Sequence, residues 1–410
     1  MARTGFKPTA YYLLLCSTIG LILLGLIMVL NASSVQAYTS YGDSYYYLKR
    51  QAVWAILGLI CMAFFSRLDY RKLVKNSKLL LALAILGLIL SHVPGIGATA
   101  KGASRAIGYG GFTLQPSEPA KLAIILYIAG ALAAKRKRLA DLRVLALEGI
   151  AVLAVLLIIL FQPDLGTAVI VALSVLTMLF LGGARLRDVA GLAMAAGVAG
   201  FTFAMRAPYR RARILAFINP SSDPQGIGYQ IRQSLVALGS GGLTGVGLGM
   251  SKQKFFFLPE AHTDFIFAII GEELGLAGAI AVVIAYGILA YSGLNIAFKT
   301  KDYLGKVLGA GLTASIAGQA FVNLGAVTGL LPVTGVPLPL VSSGGSSLVV
   351  TMTMLGILMN IASHKGRLRT KSADENGDKR RRDGWSRLPR ARAAQGAVAR
   401  GTGMRSSLHR

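Results

Sequence analysis

The sequence predicts an all-α polytopic membrane protein with about ten transmembrane helices. It further predicts cytoplasmic termini and a large extracytoplasmic loop between helices seven and eight. Three observations carry this. Of 410 residues, 54% are hydrophobic and only 15% charged, against roughly 25% charged in soluble proteins. The apolar residues come in continuous blocks of about 16–25, not alternating, which suits helices over barrel strands; lipid admits only those two spanning structures. Lysine and arginine gather in alternate connections between the blocks.

The spans fall at 11–31, 51–66, 79–94, 118–134, 143–161, 165–183, 187–206, 263–296, 304–331 and 344–363. The first follows Arg3 and Lys7 like a signal peptide, but its apolar run is too long and a second span follows, so it reads as a retained helix. Tyr38, Tyr41, Tyr45, Tyr46 and Tyr47 in the first connection suit an interfacial aromatic belt. The second connection holds Arg67, Arg71, Lys72, Lys75 and Lys78, and the fourth Lys135, Arg136, Lys137, Arg138 and Arg143. Arg185 and Arg187 fill the sixth, and Lys299, Lys301 and Lys306 the eighth. Basic even-numbered connections belong in the cytoplasm. Gly191, Ala195 and Ala199 give span seven a small-residue face suited to tight helix packing. Residues 1–364 form the membrane domain. Residues 365–410 read as a disordered basic cytoplasmic tail, where Lys379-Arg380-Arg381-Arg382 is drawn to anionic lipid at about 1 kcal/mol per basic residue.

The formal net charge of +26 would suggest nucleic acid in a soluble protein. Here the excess sits in loops and tail, where orientation and lipid headgroups account for it, and no nucleic-acid partner is expected. Cys16 and Cys61 lie inside apolar segments and read as small buried hydrophobes, with no disulfide framework. His92, His262, His364 and His409 are too scattered for a zinc centre.

One connection breaks the charge rule. Residues 207–262 belong outside yet carry Arg210, Arg211, Arg213, Arg232, Lys252 and Lys254. Either a long loop escapes the rule, or an outer surface handles an anion. The same loop carries Gly239-Ser240-Gly241-Gly242 and Gly245-Val246-Gly247-Leu248-Gly249, backbone able to approach a ligand closely. It ends in Leu258-Pro259-Glu260-Ala261-His262-Thr263-Asp264, at the mouth of an apolar span. With Pro259 as the first helical residue, Glu260, Asp264 and Glu272 share one face. Glu272 then lies about 12 Å deeper than Asp264. An acid so deep needs a partner or a cavity, and Glu272 and Glu273 read best as helix-knitting groups. Asp264, near water and His262, reads as chemical.

Asp164 precedes span six and is either its N-cap or a site residue. Lys121 enters the apolar run after Gln115-Pro116-Ser117-Glu118 and calls for a partner such as Glu118. Ser342-Ser343-Gly344-Gly345-Ser346 opens the last span, either as a capped turn or as a helix N-terminus that favours phosphate. An outer face with carboxylates, cations and a helix N-terminus suits chemistry on an amphiphilic, phosphate-bearing substrate.

The stretches LPEAHTDFIFAIIGEELG, GVPLPLVSSGGSSL, QPSEPAKL and QPDLGT together resemble the SEDS family (shape, elongation, division and sporulation) of peptidoglycan glycosyltransferases, over nearly all of residues 10–365. PEAHTDFIFA and NPSSDPQGIGYQIRQSLVALGSGG look most like its cell-division branch, with the elongation and sporulation branches next. The resemblance implies polymerisation of lipid II at the outer face of the bacterial cytoplasmic membrane, at the division septum. Asp264 matches the family's essential Asp, its proposed general base, which deprotonates a sugar 4-hydroxyl attacking an anomeric carbon on undecaprenyl pyrophosphate. A pyrophosphate leaving group needs no general acid; it needs cations. Arg105, Lys121, Arg210, Arg211, Arg232, Lys252 and Lys254 are the candidates. Glu118, Asp164, Glu260, His262, Ser342, Ser343, Gly344, Gly345 and Ser346 complete the expected substrate surface. The resemblance also implies a divalent cation (magnesium or manganese), for which no ligand set is visible, a class B penicillin-binding protein as transpeptidase partner, and other divisome membrane proteins. The family's usual Arg-Trp-Ile is Arg105-Ala106-Ile107 here, and its frequent Tyr is Ser343. A lipid II transporter or a non-catalytic divisome scaffold would present much the same bundle.

Overall fold

The computed structural model of the chain describes residues 9–93, 97–100, 103–109, 112–136, 142–162, 164–223 and 225–363. Each of the ten sequence windows holds a helix. These are α1 (Thr9–Tyr41), α2 (Tyr46–Arg67), α4 (Ser77–Leu90), α5 (Ser117–Ala134), α6 (Leu142–Phe161), α7 (Leu165–Gly182), α8 (Leu186–Arg206), α11 (Ile266–Lys299), α12 (Tyr303–Val327) and α13 (Gly345–Ser363). Among the described residues, eight are long and apolar enough to cross a bilayer; α4 and the apolar part of α6, Glu148–Phe161, are shorter. At 1.5 Å per residue α4 extends about 21 Å against a hydrocarbon core of about 30 Å. The chain is a multi-pass membrane protein. Three shorter helices complete the set: α3 (Tyr70–Lys75), α9 (Pro208–Ile218) and α10 (Ile227–Ser240).

The all-α expectation needs one correction. Strands β1 (Gly97–Ala100), β2 (Ala103–Tyr109) and β3 (Phe112–Leu114) form an antiparallel sheet between α4 and α5. Ala98 lies opposite Ala106 and Ile107 opposite Leu114. The glycine-rich composition of this stretch discourages a helix.

The alternation read from lysine and arginine is a physical clustering. At one end, the Tyr70 hydroxyl donates to Asp302 at 2.7 Å, joining the second and eighth connections. Tyr303 donates to the Gly182 carbonyl at 2.8 Å and lies 4.6 Å beneath the Arg136 guanidinium, which brings in the sixth and fourth. The end of α13 arrives there too, where Asn360 donates to the Ser66 carbonyl at 2.9 Å. Burial, then the bond to Asp302, holds the Tyr70 hydroxyl above its ordinary pKa. The odd-numbered connections meet at the opposite end.

Helices α12 and α13 are the most enclosed, and α12 packs on α5, α7 and α11. Helix α8 stands at the periphery. Gly191, Ala195 and Ala199 are exposed along it, so the small-residue face does not pack within this chain. Cys16 is exposed and Cys61 half-buried, against the expectation of two buried thiols. In a lipid-solvated bundle an apolar residue has no reason to turn inward, so apolarity alone does not predict burial. The tail at 365–410 lies outside the described residues.

Helix α11 is broken at Gly275 (φ 67°, ψ −167°). Through the break runs the segment expected to approach a ligand. Val246 and Gly247 donate their N–H groups to Glu272 and Glu273 carbonyls at 3.0 and 3.1 Å, and Leu276 and Ala277 donate back to Gly242 and Leu243 at 2.9 and 3.2 Å. A Cβ on Gly275 would strike the Gly245 N and the Leu243 carbonyl. The glycine-rich loop therefore closes on α11 itself, repairing the helix gap, and Gly241 and Gly245, where a Cβ would strike the Gly271 and Glu273 carbonyls, serve that backbone packing.

Candidate active site

Asp264 is the penultimate residue of a run of bends and turns from Lys252 to Phe265, after which α11 starts at Ile266. Pro259 is not helical, so the shared face of Glu260, Asp264 and Glu272 does not form. Glu260 takes the left-handed region at φ 60°. Its carbonyl accepts from Thr263 N at 3.1 Å and Phe265 N at 3.3 Å, and its carboxylate accepts from the Thr263 hydroxyl at 2.7 Å. That local closure, a capping arrangement in miniature, ends the loop before the helix can begin.

Asp264 is half-exposed and its backbone is held from two sides. Asn323 of α12 donates from one amide to the carbonyls of Asp264 and Val336, each at 2.8 Å. Ser342 donates to the Thr263 carbonyl at 2.5 Å while accepting from Leu338 N at 2.8 Å, and Gln51 of α2 fixes the Ser342 carbonyl at 3.1 Å. Ser343 N donates to the His262 carbonyl at 3.0 Å. The His262 ring is buried 4.5 Å from the Tyr47 ring, so Tyr47 leaves the expected tyrosine belt and packs inward.

The Ser342–Ser346 stretch thus joins loops where anion binding was an open alternative. Ser346 accepts from Gln115 N at 3.3 Å, Leu348 N donates to the Gly344 carbonyl at 2.9 Å, and Gly345 lies against the Trp54 indole. Asp164 is the N-cap of α7, accepting from Thr167 N at 3.1 Å, and it also accepts from Gln115 at 3.2 Å and Ser117 at 3.3 Å. Lys121 pairs with Glu118 at 2.8 Å, both side chains only 2% exposed. Lys121 further donates to Gln319 at 2.5 Å, and Gln319 donates to the Pro337 carbonyl at 3.0 Å. This buried pair therefore braces the 337–347 turn that holds Asp264.

The expected cations separate. Lys254 is buried, donates to the Gly249 carbonyl and lies 3.7 Å from Glu273, which removes it as a phosphate contact. Lys252 offers its backbone N–H to Glu272 at 2.9 Å and keeps an exposed side chain. Glu272 also accepts from Ser251 Oγ at 2.5 Å, and Glu273 from Asn31 at 3.1 Å. The two acids pin the loop and knit helices as read from sequence. Arg210 donates to the carbonyls of Phe203 and Leu160 at 3.3 and 3.1 Å and stacks on the Phe203 ring, so it is committed beside α8. Arg211 and Arg232 are exposed. The side chain of Arg105 lies outside the described residues; Ala106 beside it is buried in β2.

A cation absent from that expected set stands near Asp264. Arg213 of α9 donates to the Val333 carbonyl at 3.2 Å. A Cβ built on Gly335 would meet both terminal guanidinium nitrogens at 3.6 Å and Asp264 Oδ2 at 3.7 Å. Arg213 and Asp264 thus flank one small space over a glycine at φ 74°. Asn323 and Gln319 were also not singled out, although two amides four residues apart in an apolar span are a readable polar stripe.

Among the described residues no group of three or more His, Cys, Asp or Glu can hold a metal ion. Glu272 and Glu273, the adjacent acids, are occupied by N–H, hydroxyl and ammonium donors. Among the described residues, this pair of acids therefore offers no site for a divalent cation.

The family model FTSW_RODA_SPOVE, described as "Cell cycle protein", matches residues 12–367. The chain belongs to the SEDS family. "Probable peptidoglycan glycosyltransferase FtsW" of Geobacter metallireducens is 44% identical over 351 residues, 85% of this chain and 94% of that protein. "Stage V sporulation protein E" of Bacillus subtilis is 42% identical over 360 residues, 87% of this chain and 98% of that protein. In three dimensions this SEDS chain resembles a chain of a peptidoglycan synthase complex that coordinates polymerization and crosslinking. Their TM-score is 0.70 at 29% identity, covering 85% of this chain and 96% of that one. The rod shape determining protein RodA of Thermus thermophilus follows with TM-score 0.63 at 27% identity, covering 85% and 95%.

Proposed function

We propose that this protein is a peptidoglycan glycosyltransferase that polymerises lipid II into glycan strands. The observation that carries the reading is the Asp264 carboxylate. It is half-exposed at the mouth of α11, on the end of the bundle opposite the basic connections, with the Arg213 guanidinium beside it. Positive-inside orientation puts that end outside the cytoplasm, where a lipid-linked sugar precursor is polymerised.

In this mechanism Asp264 accepts the proton of a sugar 4-hydroxyl as its oxygen attacks the anomeric carbon of a second, lipid-diphosphate-linked sugar. The anomeric carbon–oxygen bond breaks with its electron pair leaving on the diphosphate. Asn323 and Ser342 hold the Asp264 turn so that the base meets its hydroxyl in one geometry, the condition under which proximity accelerates a reaction. The family's division-type relatives support a place at the septum. The similarity to a chain of a peptidoglycan synthase complex supports pairing with a class B penicillin-binding protein that crosslinks the strands, and other divisome membrane proteins fit the same setting.

The test is polymerisation by the purified full chain given lipid II in vesicles, with and without the partner. Asp264→Ala and Asp264→Asn should each lower the rate at least about 100-fold, as expected for loss of a general base. Polymer made by Asp264→Ala at the wild-type rate would defeat the mechanism. Lipid II carried across vesicles with no polymer formed would favour a transporter.

A further inference from the structure

We infer that Arg213 contacts the substrate's diphosphate and works as a pair with Asp264 across the Gly335 notch; this rests on the glycosyltransferase reading above. The first ground is placement. Two terminal guanidinium nitrogens and one carboxylate oxygen lie within 3.7 Å of a single point above Gly335. Any two groups within that distance of one point stand within about 7 Å of each other, roughly the span across a reacting sugar carbon flanked by two catalytic groups.

The second ground is how the pair is mounted. One segment, Val333 to Val336, sets both members. The Val333 carbonyl accepts from Arg213 at 3.2 Å, and the Val336 carbonyl shares the Asn323 amide with the Asp264 carbonyl. Gly335 sits between these anchors with φ 74°, so the backbone turns there and brings no Cβ of its own into the space.

The chemistry follows. As the new carbon–oxygen bond forms, the acceptor proton passes to Asp264, the old anomeric bond breaks, and negative charge collects on the departing diphosphate. A planar guanidinium offers that anion two parallel N–H donors, which a point-charge ammonium does not. Removing one donor of this kind from a developing anion costs about 10²–10³ in rate.

The experiment uses the full chain in vesicles, with lipid II as substrate and farnesyl diphosphate as a product-like inhibitor. Arg213→Gln should lower kcat/KM about 100-fold and weaken inhibition by farnesyl diphosphate about tenfold, while its melting temperature stays at the wild-type value. Arg213→Lys should recover part of the rate and of the inhibition. Asp264→Asn should lose rate but keep the inhibitor's affinity, which separates the two roles. Wild-type inhibition by farnesyl diphosphate in Arg213→Gln overturns the inference. If Arg213→Gln does not fold, Gly335→Asn serves, because Asn tolerates the left-handed backbone and fills the notch; unchanged inhibition there overturns it equally. A wild-type chain that makes no polymer would instead defeat the glycosyltransferase reading.

Discussion

Removing the Glu272 carboxylate should release the loop that delivers Asp264. Glu272 is 2% exposed and accepts from Ser251 Oγ at 2.5 Å, Lys252 N at 2.9 Å and, more weakly, Gln253 N at 3.4 Å. Every one of these partners is a donor, so the position requires an acceptor on both oxygens. Hydrogen bonds to a charged acceptor contribute about 1.5–3 kcal/mol each, and the two short ones together hold the loop by about 3–6 kcal/mol. Glu272→Ala removes both and leaves the Lys252 N–H without its partner. Glu272→Gln keeps the shape but turns an amide N–H₂ toward N–H groups, so it should fall between Ala and wild type. The assay is limited trypsin digestion in detergent, followed at Lys252 and Lys254. Where cleavage follows the population of the open form, 3–6 kcal/mol converts to about 10²–10⁴-fold faster cutting, since each 1.4 kcal/mol is tenfold. Cleavage of Glu272→Ala within about tenfold of wild type would refute the reasoning, because Glu272 would then not be what fixes residues 251–253 to α11.

Asn323→Ala should lose more activity than stability: its amide joins the Asp264 and Val336 carbonyls, and small misplacement of a catalytic group costs about 100-fold. Polymerisation kinetics beside thermal unfolding check this, and a larger loss in melting temperature than in kcat would contradict it. At the basic end, Tyr70→Phe should weaken the fold by a margin that depends on pH. Because burial and the bond to Asp302 raise the Tyr70 pKa above its ordinary 10.0, the hydroxyl's contribution is fully present below that value and is lost as pH rises through the higher folded one. Denaturation of both proteins from pH 7 to 11 should show a constant gap that narrows only at the alkaline end.

The bundle was legible because lipid is an undemanding judge of sequence. A helix must be apolar and continuous to enter it, and lysine and arginine mark the connections, so ten windows each found their helix. The Glu118–Lys121 pair and the helix-knitting acids were legible for the same reason, since a buried charge needs a partner. The small sheet at 97–114 escaped because short glycine-rich strands carry little periodic signal. The start of α11 was misplaced by treating Pro259 as a helix opener, when the left-handed Glu260 delays the helix to Ile266. The glycines of 241–249 were legible as close-approach positions, yet nothing local says what approaches.

By itself, the sequence determined that this chain lives in a membrane and how its connections alternate, and it singled out Asp264 as the candidate for chemistry. Those follow from solvation, which acts on each residue where it stands. That Arg213 stands near Asp264 was decided only in three dimensions. Arg210, Arg211 and Arg213 are near neighbours in one basic run, and the helical turn of α9 with the path of residues 333–336 brings Arg213 to the carboxylate while Arg210 is held beside α8. Distance between charges is a property of the folded chain, and no reading of composition or spacing contains it.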